Sequence, residues 1–401
     1  MTAPARRLQS IPSSATVRIA DLAASLRRRG LPVIDLSAGR AAEHTPAYIR
    51  DAAAAALAAG DTHQTLAKGT VDYRRACANK LQRDNALDAD PETEIVATMG
   101  VKQGLLLSLF ATIDPGDEVL IEDPCFVSYR PLIQLAGGVP VAVPLHPGNG
   151  YRWTVEQLEA AVTPRTRAIL FNSPHNPTGV VHTGADLDAI GQVASRRDLV
   201  VITDEVYERV AWGGRRHVML ASRPGMRERT ISIMGLTKTF SMGGWRIGFA
   251  VASRDRIEAM TVLQQHLITC ASSVAQAGAA CALGEPPRPE LQALWQDWER
   301  RCVFVNEHFA ALPGVKCRMA EGGFYAWVDL TARGWTSEEF ARRLLRGYQV
   351  AVVPGSAFGP SGEGHVRVTC VRSWDDIRNA MELISRAIET EVPEPSLATR
   401  A

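Results

Sequence analysis

The sequence predicts an α/β fold: a large domain with a mostly parallel seven-stranded sheet between helices, joined to a smaller α+β domain. Three observations predict it. Short β-rich apolar runs alternate with helical patterns through the middle of the chain. Several of these runs are apolar at consecutive positions, as in strands covered on both faces. The C-terminal third loses that alternation and mixes strands with helices in another order, which suits a separate lobe.

In chain order, a helical pattern at residues 18–29 ends at Gly30, and an apolar run follows at 32–36. Neither has a partner in the central sheet, so residues 1–45 are assigned to the small domain. Residues 46–285 form the large domain. Its strands are expected at 94–99, 118–122, 139–143, 167–171, 199–203, 230–234 and 247–251, with helices at 102–112, 154–162 and 184–196. Residues 286–390 form the small domain, with helices at 289–312, 337–345 and 374–389 and strands at 324–330, 350–353 and 365–370. The Pro-rich residues 391–401 are expected to be a flexible tail.

Composition narrows the function. Lys+Arg is 44 against Asp+Glu 43, so charge gives no reason to expect nucleic acid or an anionic membrane as partner. No apolar run reaches the roughly 18 residues that span a bilayer. The basic start of the chain lacks the apolar core of a signal peptide. The seven cysteines are odd in number and without paired spacing, which suits reduced thiols in the cytoplasm. No Cys/His cluster has metal-ligand spacing.

The most informative stretch is Thr230-Ile-Ser-Ile-Met-Gly-Leu-Thr-Lys-Thr-Phe-Ser-Met-Gly-Gly-Trp-Arg246. A strand ends, Lys238 follows, and Arg246 comes eight residues later. A lysine imine needs an amine that sheds its proton near neutral pH, and burial beside another cation lowers a lysine pKa. The nearby cation would hold a phosphate, and pyridoxal phosphate carries both the aldehyde and the phosphate. Asp204, at the end of the run 199–203, needs a partner to offset its desolvation. A pyridinium N–H would serve, and a protonated ring acts as an electron sink. Tyr207 could then reach the ring hydroxylate. Glu205 reads as structural. Asn176, before a proline, cannot extend its strand and can turn its side chain inward, or merely close an Asx-turn. Gly100 precedes a helix start whose free N–H groups suit a phosphate, although glycine at such a junction is often only a turn. Phe126 could stack on a planar ring or belong to the core. Arg367, inside an apolar strand, needs an anion: either a substrate α-carboxylate or an interlobe acid.

Taken together, Asn172-Ser-Pro-His-Asn-Pro-Thr-Gly179, Asp204-Glu-Val-Tyr207, Thr237-Lys-Thr-Phe-Ser-Met-Gly-Gly-Trp-Arg-Ile-Gly248 and Val353-Pro-Gly-Ser-Ala-Phe-Gly359 followed by Arg367 resemble the class I/II aspartate aminotransferase family of fold-type I pyridoxal phosphate enzymes. The resemblance implies Lys238 as the Schiff-base lysine and general base, Asp204 on the ring nitrogen, Tyr207 and Asn176 on the ring oxygen, and Phe126 on the ring face. It implies Arg246 and the amides of Val101 and Lys102 on the phosphate, with Gly100 and Thr237 beside them. It implies Arg367 and a backbone contact from Gly39 for the substrate. Ser14-Ala-Thr-Val17 and Gly100-Val-Lys-Gln103 are similar to the bacterial aspartate/prephenate branch, where positions matching Ser14, Thr16 and Lys102 meet an acidic side chain; Lys102 is equally readable as a solvated first-turn lysine.

Two departures stand out. Gly39-Arg-Ala-Ala-Glu43 replaces the family's Gly-Glu-Pro-Asp-Phe, and Gln64 replaces a tyrosine that reaches a neighbouring subunit's cofactor. Arg40 and Glu43 could suit an unusual or basic amino acid, or form a solvated loop pair. The implied activity is ping-pong transamination between an L-amino acid and a 2-oxo acid by a homodimer. The alternative is elimination, cyclisation or oxidase chemistry on a specialised amino acid.

Overall fold

A computed structural model describes residues 11–390 together with Ala5 and Leu8. The tail expected at 391–401 lies outside the described residues.

The central sheet has seven strands: β2 (Ile95–Thr98), β3 (Glu118–Asp123), β4 (Val139–Pro144), β5 (Thr166–Asn172), β6 (Val200–Asp204), β7 (Thr230–Gly235) and β8 (Gly248–Val251). Their order is β2-β8-β7-β6-β5-β3-β4. Only β8 runs against its neighbours, pairing antiparallel with β2 and β7. The expected fold class therefore holds. Buried clusters cover the sheet on both faces: one includes Val119, Ile121, Leu170 and Ile233, the other Leu120, Ile169, Phe171 and Val201. Neighbouring strand residues point to opposite faces, which is why the sequence shows continuous apolar runs. Threonine capping boxes at Thr154 and Thr183 start the helices Val155–Ala161 and Gly184–Arg196.

The second lobe has an antiparallel sheet of order β12-β13-β10-β9, built from β9 (Lys316–Cys317), β10 (Tyr325–Asp329), β12 (Val353–Pro354) and β13 (His365–Thr369). Next to it, β1 (Ile34–Asp35) pairs in parallel with β11 (Val350–Ala351). A buried cluster runs across both lobes, joining Val206, Tyr207 and Val210 to Trp298, Phe324 and Tyr325.

The helices Ala47–Ala58, Val71–Asn85, Arg254–Leu267 and Ser273–Gly284 are not legible in the sequence reading. Two are alanine-rich, so the contrast between faces that marks a helix is weak. The first strand is also shorter than expected, two residues rather than five, because only Ile34 and Asp35 meet β11.

Candidate active site

Four strands of the sheet end at one place. Asp123, Asn172, Asp204 and Gly235 terminate β3, β5, β6 and β7, and polar side chains there need no place in a hydrophobic layer. Lys238 lies in the single helical turn Leu236–Thr239 directly after β7. Its amine donates a hydrogen bond to the Gly39 carbonyl. The rings of Tyr207 and Phe324 lie 6.0 and 5.7 Å from it. Burial pulls the Lys238 pKa below its ordinary value; Arg367 and Arg246 push the same way, against Tyr325 and Asp204.

Asp204 is 3% exposed. The Tyr129 hydroxyl donates to Oδ2 at 2.9 Å and the Val206 N–H to Oδ1 at 3.2 Å. Burial pushes its carboxyl up to about 6, while the Tyr129 and Val206 hydrogen bonds pull it down. Glu205 is engaged elsewhere, with Thr203 and with His217 at 2.7 Å, as its structural reading requires. Tyr129 was missed in the sequence, although it stands three residues after Phe126 in the segment that follows β3.

Arg367 is 2% exposed. It donates from Nη1 to Asn176 Oδ1 at 3.1 Å and from Nη2 to the Ser37 carbonyl at 2.6 Å. Its guanidinium carbon lies 4.1 Å from the centre of the Tyr325 ring and 5.0 Å from that of Phe358. Its Nε is buried without a hydrogen-bond partner. Every ion pair found among the described residues leaves Arg367 out, so the interlobe salt bridge is not what it makes. A buried cation without its anion is costly, and an incoming carboxylate would offset that cost. Tyr325, also missed in the sequence, shares a 2.9 Å hydrogen bond with Tyr207. Gly39 runs so close beneath it that a Cβ there would stand 1.9 Å from the Tyr325 hydroxyl.

At the opposite end, Gly100 caps the helix Val101–Phe110 with φ 75°. A Cβ there would meet Arg246 Nη2 at 2.7 Å. Among the described residues Arg246 donates hydrogen bonds only to carbonyls, those of Gly243 at 3.2 Å and Met99 at 3.4 Å. Lys102 Nζ lies 5.6 Å from the centre of the Phe126 ring. Burial, then Arg246 and Lys238, hold its pKa below the ordinary lysine value. Val101, Lys102 and Arg246 thus line one cavity at a helix start, which suits a phosphate.

Of the residues singled out in the sequence, Thr16, Gly39, Val101, Lys102, Phe126, Asn176, Asp204, Tyr207, Thr237, Lys238, Arg246 and Arg367 line one cavity of about 350 Å³, whereas Ser14, Arg40, Glu43, Gly100, Gln64 and Glu205 do not. Thr16 is among them, and its hydroxyl lies 3.0 Å from that of Ser14. Gly100 stands just behind, against Arg246. Gln64 is exposed and lies outside this chain's own cavity. A wider space of about 910 Å³ adjoins it and shares Gly39, Thr237 and Lys238. One expectation needs correction. Glu43 neither pairs with Arg40 nor is free to meet a basic substrate, because Arg301 at 2.7 Å and the Trp298 indole N–H at 3.2 Å already hold its carboxylate.

The signature of class I and II aminotransferases matches residues 32–384. The chain belongs to that family. It is 38% identical over 386 residues to an aromatic-amino-acid aminotransferase of Thermococcus litoralis, covering 96% of this chain and 97% of the relative. It is 39% identical to an aspartate aminotransferase of Pyrococcus abyssi, covering 95% and 97%. Among solved structures, the aspartate aminotransferase of Rhizobium meliloti superposes with a TM-score of 0.91 at 36% identity, over 97% of this chain and 99% of that one. The Thermus thermophilus aspartate aminotransferase with maleate gives 0.91 at 35% identity, over 96% and 100%. This aminotransferase is a pyridoxal 5'-phosphate-dependent enzyme that moves an amino group between an amino acid and a 2-oxo acid. The cations Arg246 and Lys102 at the cavity and the buried acid at 204 fit that cofactor's phosphate and ring nitrogen.

Proposed function

We propose that Lys238, Asp204, Asn176, Tyr207, Arg246 and Arg367 carry the transamination, and that the substrates are acidic L-amino acids and their 2-oxo acids. The observation that carries this reading is Arg367, a buried guanidinium with no anion, across the same cavity as the Lys238 amine. When bound, pyridoxal phosphate supplies an aldehyde for the lysine and a protonated ring that accepts electron density. Arg367 binds the substrate α-carboxylate and so orients Cα. The Lys238 amine, with its lowered pKa, takes the Cα proton and returns it to the other side of the nitrogen. Asp204 accepts a hydrogen bond from the ring N–H, and that charge would draw its pKa down again. Asn176 and Tyr207 would hold the ring oxygen, and Phe126 would lie on the ring face. Arg246, Gly100, Thr237 and the N–H groups of Val101 and Lys102 would hold the phosphate. Lys102 and Thr16, at the rim of the cavity, would meet a distal carboxylate.

Borohydride reduction followed by peptide mass spectrometry should place the cofactor on Lys238. A substrate panel with keto-acid detection should rank aspartate and glutamate above leucine and lysine. An unmodified Lys238 would sink the assignment; a preference for neutral or basic substrates would sink the specificity.

We further propose a cytoplasmic homodimer. Leu66, Val262 and Leu267 are exposed by 63%, 54% and 53%, and the Gln264 side chain, on the helix that carries Val262 and Leu267, donates to the carbonyl of Ala67, next to Leu66. Gln64, exposed and two residues before Leu66, would reach a second copy's cavity. Among the described residues no helix is long and apolar enough to cross a membrane. Sedimentation equilibrium should give twice the chain mass, and Val262→Glu should lower it toward one; a monomeric wild type refutes the dimer.

A further inference from the structure

A trio of buried titratable side chains, used by none of the roles above, lies beside Asp204. Glu122, near the end of β3, is 0% exposed; His175 and His182, on the loop after β5, are each 1% exposed. Glu122 Oε2 lies 3.3 Å from His175 Nε2, and Oε1 lies 3.8 Å from His182 Nε2. Among the described residues, no lysine or arginine pairs with Glu122, and no group of His, Cys, Asp or Glu has the arrangement of a metal site.

Glu122 has one firm attachment. The Asn172 N–H donates to its Oε2 at 3.1 Å. Asn172 in turn reaches both neighbours in the cavity wall. Its Nδ2 donates to the Asp204 carbonyl at 2.6 Å, and its Oδ1 accepts the Asn176 N–H at 2.8 Å. Asn172 and Asp204 are also register partners of β5 and β6. One asparagine thus fixes the backbone at two of the groups assigned to the cofactor ring.

We propose that Glu122 is a positioning residue for the cofactor ring: it anchors Asn172, and Asn172 sets where Asp204 and Asn176 stand. The inference rests on the roles proposed for those two residues. A carboxyl in this place costs desolvation that a methionine of similar volume would not, so packing alone does not account for it.

The charge state follows from the surroundings. Burial holds Glu122 well above the usual carboxylate range, and Asp204 pushes the same way; only the Asn172 N–H opposes them. Burial lowers His175 to about 3 and His182 to about 4. The other titratable groups facing Glu122 are Tyr129 and Cys125, both pushed up and neutral. Burial thus favours a protonated carboxyl and neutral imidazoles across the trio. Oε1 of the acid has no hydrogen-bond partner among the described residues, while Oε2 keeps the Asn172 N–H.

That state makes glutamine a faithful substitute and methionine a poor one. Cofactor affinity is read from quenching of tryptophan fluorescence as pyridoxal phosphate is added to the cofactor-free protein. The second readout is the pH midpoint of the visible band of the loaded enzyme. Glu122→Gln should stay within about twofold of wild type in affinity, with the midpoint unmoved. Glu122→Met should bind the cofactor about tenfold more weakly and shift the midpoint, the scale of losing a supporting hydrogen bond behind a bound group. A methionine variant that loses thermal stability but keeps both affinity and midpoint would overturn the proposal. Borohydride labelling of Lys238 in the wild type separates this failure from failure of the proposed site, because it does not depend on Glu122. If Glu122→Met yields no folded protein, infrared difference spectra between cofactor-free and loaded protein decide. A carboxylic acid band that shifts on loading and vanishes in Glu122→Gln is expected; its absence from the wild type overturns the proposal.

Discussion

Asp204 gives the clearest prediction at the scale of one residue. Its carboxyl is pushed from 3.8 to about 6 in the cofactor-free protein. A raised folded pKa contributes stability that is fully present below about pH 4 and is lost as pH rises through about 6. Above that range the ionised side chain costs on the order of 3 kcal/mol. Cofactor-free Asp204→Asn should therefore be more stable than wild type near pH 8, by up to about that amount, with the gap closing below about pH 4. Urea unfolding across that pH range measures it; a gap of constant size would refute the assignment. The same variant should lose roughly a hundredfold or more in kcat. Tyr129→Phe removes a hydrogen bond that favours the carboxylate, so the acid limb of its kcat/KM profile should move to higher pH. An unmoved limb would separate that limb from Asp204.

At the scale of elements, the segments after strand ends were readable and the convergence of the lobes was not. Asp204 could be read because it closes an apolar run with a polar residue that a sheet interior would not tolerate, Lys238 because it follows such a run with Arg246 eight residues on, and Asn176 because the proline after it bars the strand from continuing. Arg367 could be read because a cation in an apolar strand demands an anion. Tyr325 lies within an apolar strand of the other lobe, and its hydroxyl matters only because Tyr207 and Gly39 arrive beside it. Ser37 contributes only a carbonyl, which no side chain announces. Gly39 shows how tight this convergence is. Gly39→Ala should cut kcat/KM by about tenfold or more, because the strand, the lysine hydrogen bond and the Tyr325 ring cannot all keep their places. Tyr325→Phe removes the nearest atom of the clash. The double variant should therefore recover part of what Gly39→Ala loses, and steady-state kinetics would show it. Losses that simply add would place the effect of Gly39 elsewhere.

At the scale of the molecule, the lobes are tied beside the site as well as through the shared core. Asp123 Oδ2, from the end of β3, accepts from the Ser361 N–H at 3.2 Å and from its hydroxyl at 2.9 Å. The Cys125 N–H donates to the Phe358 carbonyl at 2.8 Å, next to Phe126 in sequence. Ser361→Ala should cost about 1 kcal/mol in unfolding free energy and loosen the small lobe, raising the hydrogen-exchange rate across residues 355–362. Exchange unchanged in that loop would mean that the tie carries no load.

The pairing of β1 with β11 joins a strand near the start of the chain to one near its end. A nascent chain emerging from a ribosome therefore completes the central sheet while residues 34–39 still await their partner. The Gly39 carbonyl is therefore set in place only once residues 350–351 have been made. Until then the lysine amine lacks the Gly39 carbonyl that holds it.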